Sequence, residues 1–116
     1  MGTACEIAST LKPEGLDSVS FLPTLKADPN KQSKHRYLYW EFYERTFRQA
    51  VVMEEWKLIR SDMDDSKIEL YDLSKDIHED KNIASEHPAL AQRLISYMEE
   101  AHTPHPSWKT PKAAQK

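Results

Sequence analysis

The chain is short of glycine and cysteine, with two glycines and one cysteine among its 116 residues. Loops that cradle a phosphate group need several glycines so that the backbone can approach the ligand, and no such loop occurs here. The single thiol, Cys5, cannot form an internal disulfide, so cysteine usage does not indicate a compartment. These two absences exclude the glycine-loop nucleotide-binding classes and a disulfide-stapled scaffold.

The sequence also lacks an excess of one charge and lacks a long apolar run. Its 16 basic and 19 acidic residues are mixed along the chain and give a net charge of -3. A nucleic-acid surface requires a basic patch, and a membrane-spanning helix requires about 20 consecutive apolar residues. We therefore expect no nucleic acid and no membrane as partners, and one small domain at most.

The middle of the chain predicts an antiparallel meander. From Tyr37 to Glu44 the residues alternate with a period of two and are rich in aromatic side chains, which is typical of a strand. Short polar segments then separate three further apolar runs, as expected for hairpin turns. The predicted turns are 45–47, 54–55 and 62–66, and the further strands are 49–53, 56–60 and 68–72.

A helix is predicted after the strands. Pro88 suits the first helical turn, where its missing N–H costs nothing. An apolar stripe at helical spacing follows, and prolines from Pro104 onward end the helix. The stripe consists of Leu90, Leu94, Ile95, Met98 and Ala101. The predicted fold class is α+β, a small four-stranded antiparallel sheet packed against a C-terminal helix.

No group of residues forms a catalytic or metal-binding signature. Cys5 has no activating neighbour, which is typical of a small residue on a helix face. His102 and His105 are three residues apart but flank a proline, so an exposed helix end is favoured over a metal site. The acidic loop 62–66 lacks the glycine and the distant glutamate of a calcium loop. We predict no catalytic residue and no metal ligand in this chain.

One polar cluster is more suggestive. Ionic and polar side chains from Glu41 to Gln49 stand at the end of the aromatic strand and in the turn after it, where binding groups are often displayed. A solvated strand end explains the same residues, and the pattern leaves both interpretations open.

Segments of the chain resemble the C-terminal region of bacterial arylsulfatase-type enzymes of the alkaline-phosphatase-like superfamily. They occur in the order of that family and cover nearly the whole chain, so that together they are far more specific than any one alone. The segments are GLDSVSFLPTL (15–25), YLYWEF (37–42), WKLIR (56–60), ELYDLSKD (69–76) and NIA (82–84).

The resemblance implies a small subdomain that is attached to a large α/β catalytic domain. Residues 1–36 are then an irregular connecting segment from the missing catalytic domain, residues 37–103 the sulfatase C-terminal subdomain, and residues 104–116 a mobile tail. Similar bacterial enzymes are commonly exported to the periplasm, but the sequence leaves the compartment of the parent open.

The resemblance also implies that the chemistry lies outside this chain. Similar enzymes hydrolyse sulfate esters with a formylglycine made from a C-x-P-x-R or S-x-P-x-R motif, together with a calcium ion held by Asp and Asn residues. Neither motif occurs here, so formylglycine and calcium are expected in the missing catalytic domain and no cofactor in this chain. The parent is then a sulfatase, and this part of it is expected to be inactive alone.

In similar sulfatases the small subdomain closes one side of the active-site cleft and contacts the organic part of the substrate. By position, the turn after the first strand takes this role, although many relatives have a histidine where Tyr43 stands. The implied partners are the chain's own N-terminal catalytic domain and a sulfated small molecule or glycan. The candidate substrate contacts are Glu41, Tyr43, Glu44, Arg48 and Gln49, for which a structural role fits equally well.

Two function classes follow from these observations. A sulfatase subdomain predicts an apolar face, including Phe21, Leu22 and part of the sheet, that is left exposed where the catalytic domain sits. A free-standing protein- or carbohydrate-binding module derived from a sulfatase tail predicts a stable monomer without such a face. An independent small hydrolase is disfavoured, because no nucleophile and base are arranged together.

Overall fold

The computed structural model describes residues 1–111, which form two compact units that meet in sequence between Arg36 and Tyr37. The second unit contains the predicted sheet and helix. The predicted mobile tail falls partly in residues 112–116, which lie outside the described residues.

The first unit contains three short helices, α1 (Gly2–Ile7), α2 (Leu22–Leu25) and a 3-10 helix (Pro29–Lys31). Helices of this length are unstable by themselves in water, and contacts between side chains and backbone tie this unit together. The Gln32 side chain, for example, donates to the carbonyl of Ser20 at 2.8 Å. Two residues were expected on an exposed apolar face. Phe21 is exposed, but Leu22, the first residue of α2, is buried, so the expectation for Leu22 was wrong.

The second unit is a four-stranded antiparallel sheet followed by one helix, which confirms the predicted fold class. The strands stand in the sheet in sequence order and each pairs with the next. Their bounds agree with the sequence pattern to within one residue, except that β1 ends at Phe42 rather than Glu44, before a turn in which Arg45 adopts a φ of 63°. The elements are β1 (Leu38–Phe42), β2 (Arg48–Met53), β3 (Trp56–Ser61), β4 (Ile68–Asp72) and α3 (Pro88–Ala101).

The core lies between the sheet and α3. Val51, Leu58 and Leu70 are directly opposite one another across β2, β3 and β4, and all three are completely buried. Leu94 and Met98 from the apolar stripe of α3 belong to the same cluster. Burying each such aliphatic side chain contributes about 1.5–3 kcal/mol, so this cluster anchors the helix to the sheet.

The same side of the sheet carries a row of polar residues at one end. Glu41, Gln49 and Arg60 are directly opposite one another across β1, β2 and β3. Because side chains alternate between the two faces of a strand, Gln49 shares the helix side with Val51, and Arg60 shares it with Leu58. The meander therefore places three polar side chains side by side at the edge of the apolar core.

The opposite side of β1, here called the outer face, is apolar and exposed. Leu38, Trp40 and Phe42 alternate with the inward residues and are 43%, 51% and 53% exposed. Ala50 and Val52 of β2 continue this side of the sheet and are half-buried. Adjacent exposed aromatic and aliphatic side chains are typical of an interaction surface rather than of scattered surface residues.

The turn between β2 and β3 is strained. Glu54 has a φ of 54° in the two-residue connection between the paired residues Met53 and Trp56. A left-handed conformation costs a residue with a Cβ atom about 1–2 kcal/mol, and glycine avoids this cost while losing more chain entropy on folding. We expect Glu54→Gly to raise the free energy of unfolding by about 0.5–1 kcal/mol, measured by urea denaturation.

The matched control is Glu55→Gly in the same turn, because the φ of Glu55 is not positive. This substitution only increases the entropy of the unfolded chain and is expected to lower stability by about 0.5–1 kcal/mol. If both variants were destabilised equally, strain at Glu54 would be ruled out.

Candidate functional site

The site is built around the carboxylate of Glu41, near the end of β1. Glu41 accepts hydrogen bonds from the hydroxyl groups of Tyr39 and Tyr43, and its Oε1 atom also contacts Nδ1 of His102, just after α3. An ionised carboxylate only accepts hydrogen bonds, so Nδ1 of His102 carries the proton. We call these four residues the Glu41 cluster.

A chain of hydrogen bonds with one direction connects the Glu41 cluster to Arg60. Arg60 donates through Nε and Nη2 to Oε1 of Gln49, at 3.0 and 2.8 Å. Gln49 then donates through Nε2 to the hydroxyl oxygen of Tyr39 at 2.7 Å, and the Tyr39 hydroxyl donates to Glu41. Donation therefore runs from a buried cation to a partly buried anion, and each link fixes the orientation of the next group.

Arg60 is the other end of this chain and is only 2% exposed. Its two terminal nitrogens donate to Asp65 at 2.9 Å and to Glu99 of α3 at 2.5 Å. Burial disfavours the guanidinium charge, but the two carboxylates outweigh burial and raise the pKa of Arg60. In the described part of the chain, every fully buried side-chain nitrogen or oxygen has a partner, as a buried polar network requires.

The protonation states of the Glu41 cluster follow from these contacts. Partial burial pushes the pKa of Glu41 upward, but the hydrogen bonds from Tyr39, Tyr43 and His102 prevail and lower the pKa overall. The hydrogen bond to Glu41 is the main reason that the pKa of Tyr43 rises to about 12. Burial, followed by the hydrogen bond to Glu41, raises the pKa of Tyr39. At neutral pH the cluster thus holds one carboxylate and two neutral phenols.

An aromatic wall stands beside the Glu41 cluster. The ring of Tyr43 lies 4.9 Å from that of buried Phe47 and 5.3 Å from that of Trp108, and Phe47 meets His102 edge-on at 6.5 Å. Trp108 belongs to the segment after α3 and is 57% exposed. The wall therefore combines apolar ring faces with the polar edges of Tyr43 and His102, which is the composition of a small-molecule site.

The structure brings together some of the predicted contact residues and separates others. Glu41 and Tyr43 are in direct contact. Gln49 is completely buried and reaches Glu41 only through Tyr39. Glu44 is exposed in the turn, and Arg48 is exposed on the side of β2 opposite to Gln49.

Sequence reasoning missed His102, Tyr39, Arg60 and Trp108. The expectation of an exposed helix end was wrong for His102, whose side chain is 12% exposed because it packs against Glu41. Gln49 and Arg60 did carry a signal, since each is a polar residue at an inward position of an otherwise apolar strand face. Such an exception to binary patterning indicates either a buried network or an error in strand register.

The described residues do not fit a metal ion. Within residues 1–111, no three His, Cys, Asp or Glu side chains come together in a way that would hold one. Asp64 and Asp65 of the acidic loop are instead bonded to Ser66 and Arg60. Among these residues no helix is long and apolar enough to cross a membrane.

Comparison with protein families gives one match over most of the chain. The model of the family described as "N-sulphoglucosamine sulphohydrolase, C-terminal" matches residues 2–103. No curated protein matches the sequence.

Solved structures with the same fold include sulfatases. A provisionally assigned sulfatase from Bacteroides thetaiotaomicron VPI-5482 is 28% identical, with a TM-score of 0.62, over 84% of this chain and 24% of its own length. A protein from a Bacteroides thetaiotaomicron locus for the metabolism of multiple glycosaminoglycans is 26% identical, with a TM-score of 0.63, over 84% of this chain and 23% of its own.

A third structure, solved with its substrate D-glucosamine-2-N,6-O-disulfate, is 23% identical and shows the shared fold, with a TM-score of 0.66. It matches over 85% of this chain and 22% of its own length. This chain therefore spans about a quarter or less of the proteins that it resembles.

Proposed function

Because this chain belongs to the family of C-terminal regions of N-sulphoglucosamine sulphohydrolase and is the C-terminal region of a sulfatase, we propose that it completes the fold of a sulfuric ester hydrolase. In this proposal it forms one wall of the substrate cleft. The residues that break the sulfate ester, with their formylglycine and calcium, then belong to a catalytic domain N-terminal to this chain. The chain by itself is inactive.

The exposed outer face supports the proposal that a catalytic domain packs against this chain. The chain spans 24% of one related sulfatase and 23% of another relative, so roughly three quarters of such a protein is outside it. Leu38, Trp40 and Phe42 form an apolar surface that α3 does not cover. A large domain of the same polypeptide is the occupant that this surface fits best, because interfaces inside a protein are apolar at their centre.

The Glu41 cluster and its aromatic wall support the proposed role in substrate contact. With Nδ1 of His102 turned toward Glu41, Nε2 is the ring nitrogen left for a ligand, and Tyr43 offers its ring beside it. Glu41 already has three partners, Tyr39, Tyr43 and His102, so in this proposal it orients Tyr43 and His102 instead of serving as a base. Glu44 extends the polar surface, and Gln49 supports Glu41 through Tyr39. Arg48 lies on the opposite side of β2 and is the weakest candidate.

A sulfated sugar is the proposed substrate class. The name of the matched family refers to a sulfated glucosamine, and one relative comes from a locus for glycosaminoglycan metabolism. Aromatic side chains next to fixed hydrogen-bonding groups suit a sugar, which has apolar C–H faces and polar edges. A simple aryl sulfate remains the competing substrate, to be compared directly in the activity assay.

The proposal is tested by reuniting the two parts of the parent. The reading frame upstream of this chain is expected to encode a continuous domain with C-x-P-x-R or S-x-P-x-R. That domain, expressed separately, is expected to hydrolyse a sulfated glucosamine only after this chain is added. An upstream frame without either motif would favour the free-standing binding module instead.

The docking surface is tested with Trp40→Glu on the outer face. A buried tryptophan at an interface is typically worth 2 kcal/mol or more, so we expect the affinity for the catalytic domain to fall by about 30-fold or more in calorimetry. Ile77→Glu is the matched control, because Ile77 is 69% exposed and lies outside the sheet. Equal losses in both variants would exclude the outer face as the docking surface.

A further inference from the structure

The segment after α3 forms an open recess that contains none of the four residues of the Glu41 cluster. Its volume is about 530 Å³, and its lining is Pro104, His105, Pro106, Trp108, Lys109 and Thr110. The lining combines an aromatic ring and two prolines with one lysine and one histidine. These side chains offer apolar faces and positive or hydrogen-donating groups to the same ligand.

The turn that shapes this recess is fixed by its own hydrogen bonds. The amide of Trp108 donates to the carbonyl of His105 at 3.1 Å, and the amide of Ser107 donates to Nδ1 of His105 at 3.1 Å. Because Nδ1 accepts a hydrogen bond, the proton of the neutral ring is on Nε2. His105 therefore presents an N–H donor while it holds the turn.

Trp108 connects the recess to the Glu41 cluster. Its ring lies 5.3 Å from that of Tyr43 at an angle of 41°, and the Tyr43 hydroxyl donates to Glu41. The contact with Tyr43 supports one part of the indole, while more than half of the Trp108 surface stays accessible. A ligand at the Glu41 cluster and a ligand in the recess would therefore be neighbours that share one aromatic wall.

We propose that this recess binds a sugar ring that carries a sulfate group, as a second subsite beside the Glu41 cluster. The C–H face of the sugar stacks on Trp108, and the sulfate oxygens accept hydrogen bonds from the Lys109 ammonium and from Nε2–H of His105. The second subsite rests on the proposed sulfatase function and deepens it. With two neighbouring subsites, the preferred substrate is an oligosaccharide of at least two sugars. The lysine supplies the charge that a sulfate requires, and the aromatic ring selects a sugar over a free anion.

The test uses the complete 116-residue chain and follows two NMR signals, the indole N–H of Trp108 and the backbone N–H of Ser107, which donates to His105 in the same turn and remains when Trp108 is replaced. The probes are glucosamine 6-sulfate, glucosamine and sodium sulfate. We expect the sulfated sugar to shift the Trp108 signal with a dissociation constant on the order of 1–10 mM, and glucosamine to bind about tenfold more weakly. Trp108→Ala and Lys109→Ala should each weaken binding by at least about fivefold.

Trp40→Ala is the matched control, since Trp40 is 51% exposed and lies on the outer face. It is expected to leave the affinity for the sulfated sugar unchanged. The proposal is overturned if the Trp108 signal does not shift, if Trp40→Ala weakens binding as much as Trp108→Ala, or if sodium sulfate binds as well as the sugar. Reconstituted sulfatase activity without sugar binding here would remove this subsite alone, while binding without that activity would remove the proposed function alone.

Discussion

Replacing Arg60 with alanine is expected to lower the free energy of unfolding by about 3 kcal/mol, which is a large part of the stability of a small domain. Arg60 is almost fully buried and is the donor to Oε1 of Gln49, which is completely buried. An acceptor left without a partner in the interior costs about 1–3 kcal/mol. The lost packing of the apolar stem of the arginine adds to this. Asp65 and Glu99 contribute less, because both are about half exposed and water can replace the guanidinium.

The measurement is urea denaturation of the 116-residue chain, followed by tryptophan fluorescence. Arg48→Ala is the matched control, because Arg48 is exposed on the neighbouring strand, and surface substitutions usually stay within about 0.5 kcal/mol. The network explanation fails if Arg60→Ala costs no more than Arg48→Ala.

A double variant separates the unpaired acceptor from the lost packing. Arg60→Met keeps most of the apolar volume but leaves Oε1 of Gln49 unpaired, so it is expected to remain destabilised by about 1–3 kcal/mol. Adding Gln49→Leu removes that acceptor, and replacing both partners of a buried pair by apolar groups is often nearly neutral. The double variant should therefore be more stable than Arg60→Met alone. If the stability losses of Arg60→Met and Gln49→Leu simply added in the double variant, the hydrogen bonds between Arg60 and Gln49 would not contribute to stability.

The fold of the second unit was predictable because its determinants are local. The alternation along β1 to β4 and the stripe of α3 each repeat within a few residues, and the two-residue connection between Met53 and Trp56 sets the register of β2 and β3. The end of β1 was predicted less well, because the φ of Arg45 depends on how the turn closes. An arginine carries no local signal for a left-handed conformation, whereas a glycine would have done so.

The candidate site was predictable only in part, because half of it comes from distant sequence. Glu41 and Tyr43 stand on one strand and its turn, so their proximity was readable from the sequence. His102 meets Glu41 across a separation of 61 residues, and Trp108 meets Tyr43 from beyond the helix. No periodic pattern encodes such a contact. It exists because α3 crosses the sheet and delivers its C-terminal end beside β1.

The row of polar residues at one end of the sheet could have been predicted from the sequence. Gln49 and Arg60 interrupt apolar strand faces at the same end of the sheet, and their registers place them opposite Glu41 and each other. Polar exceptions to a consistent pattern tend to mark strained or functional places. Once the meander is predicted, aligning these exceptions across the strands would have indicated a connected network.

Replacing Glu41 with glutamine is expected to lower the free energy of unfolding by about 2 kcal/mol at pH 7. The carboxylate accepts hydrogen bonds from Tyr39, Tyr43 and His102. A glutamine keeps one oxygen, but its amide group has two donors of its own and cannot accept from three donors in the same way. Hydrogen bonds to a charged group contribute about 1.5–3 kcal/mol, more than neutral ones.

The difference in unfolding free energy between wild type and Glu41→Gln should also depend on pH in a defined direction. The folded state lowers the pKa of Glu41, so the stabilisation by its carboxylate is fully present above the unfolded value of about 4.3. It is lost as the pH falls through the lower folded value, where a protonated Glu41 resembles glutamine. Unfolding free energies of wild type and Glu41→Gln, measured at about pH 7, 5.5, 4.5 and 3.5, of which only the last lies below the unfolded pKa of about 4.3, should therefore draw together at the acid end.

Glu44→Gln is the control for this titration, because Glu44 is exposed three residues further along the chain. Its effect is expected to stay within about 0.5 kcal/mol at every pH. Acidic residues elsewhere with a lowered pKa, such as Asp72 and Asp76, titrate alike in all variants and cancel in the difference. A gap between wild type and Glu41→Gln that stays constant or widens toward acid pH would show that the charge of Glu41 does not hold Tyr43 and His102 in place. The wall proposed for the substrate would then rest on the aromatic packing of Phe47 and Trp108 alone.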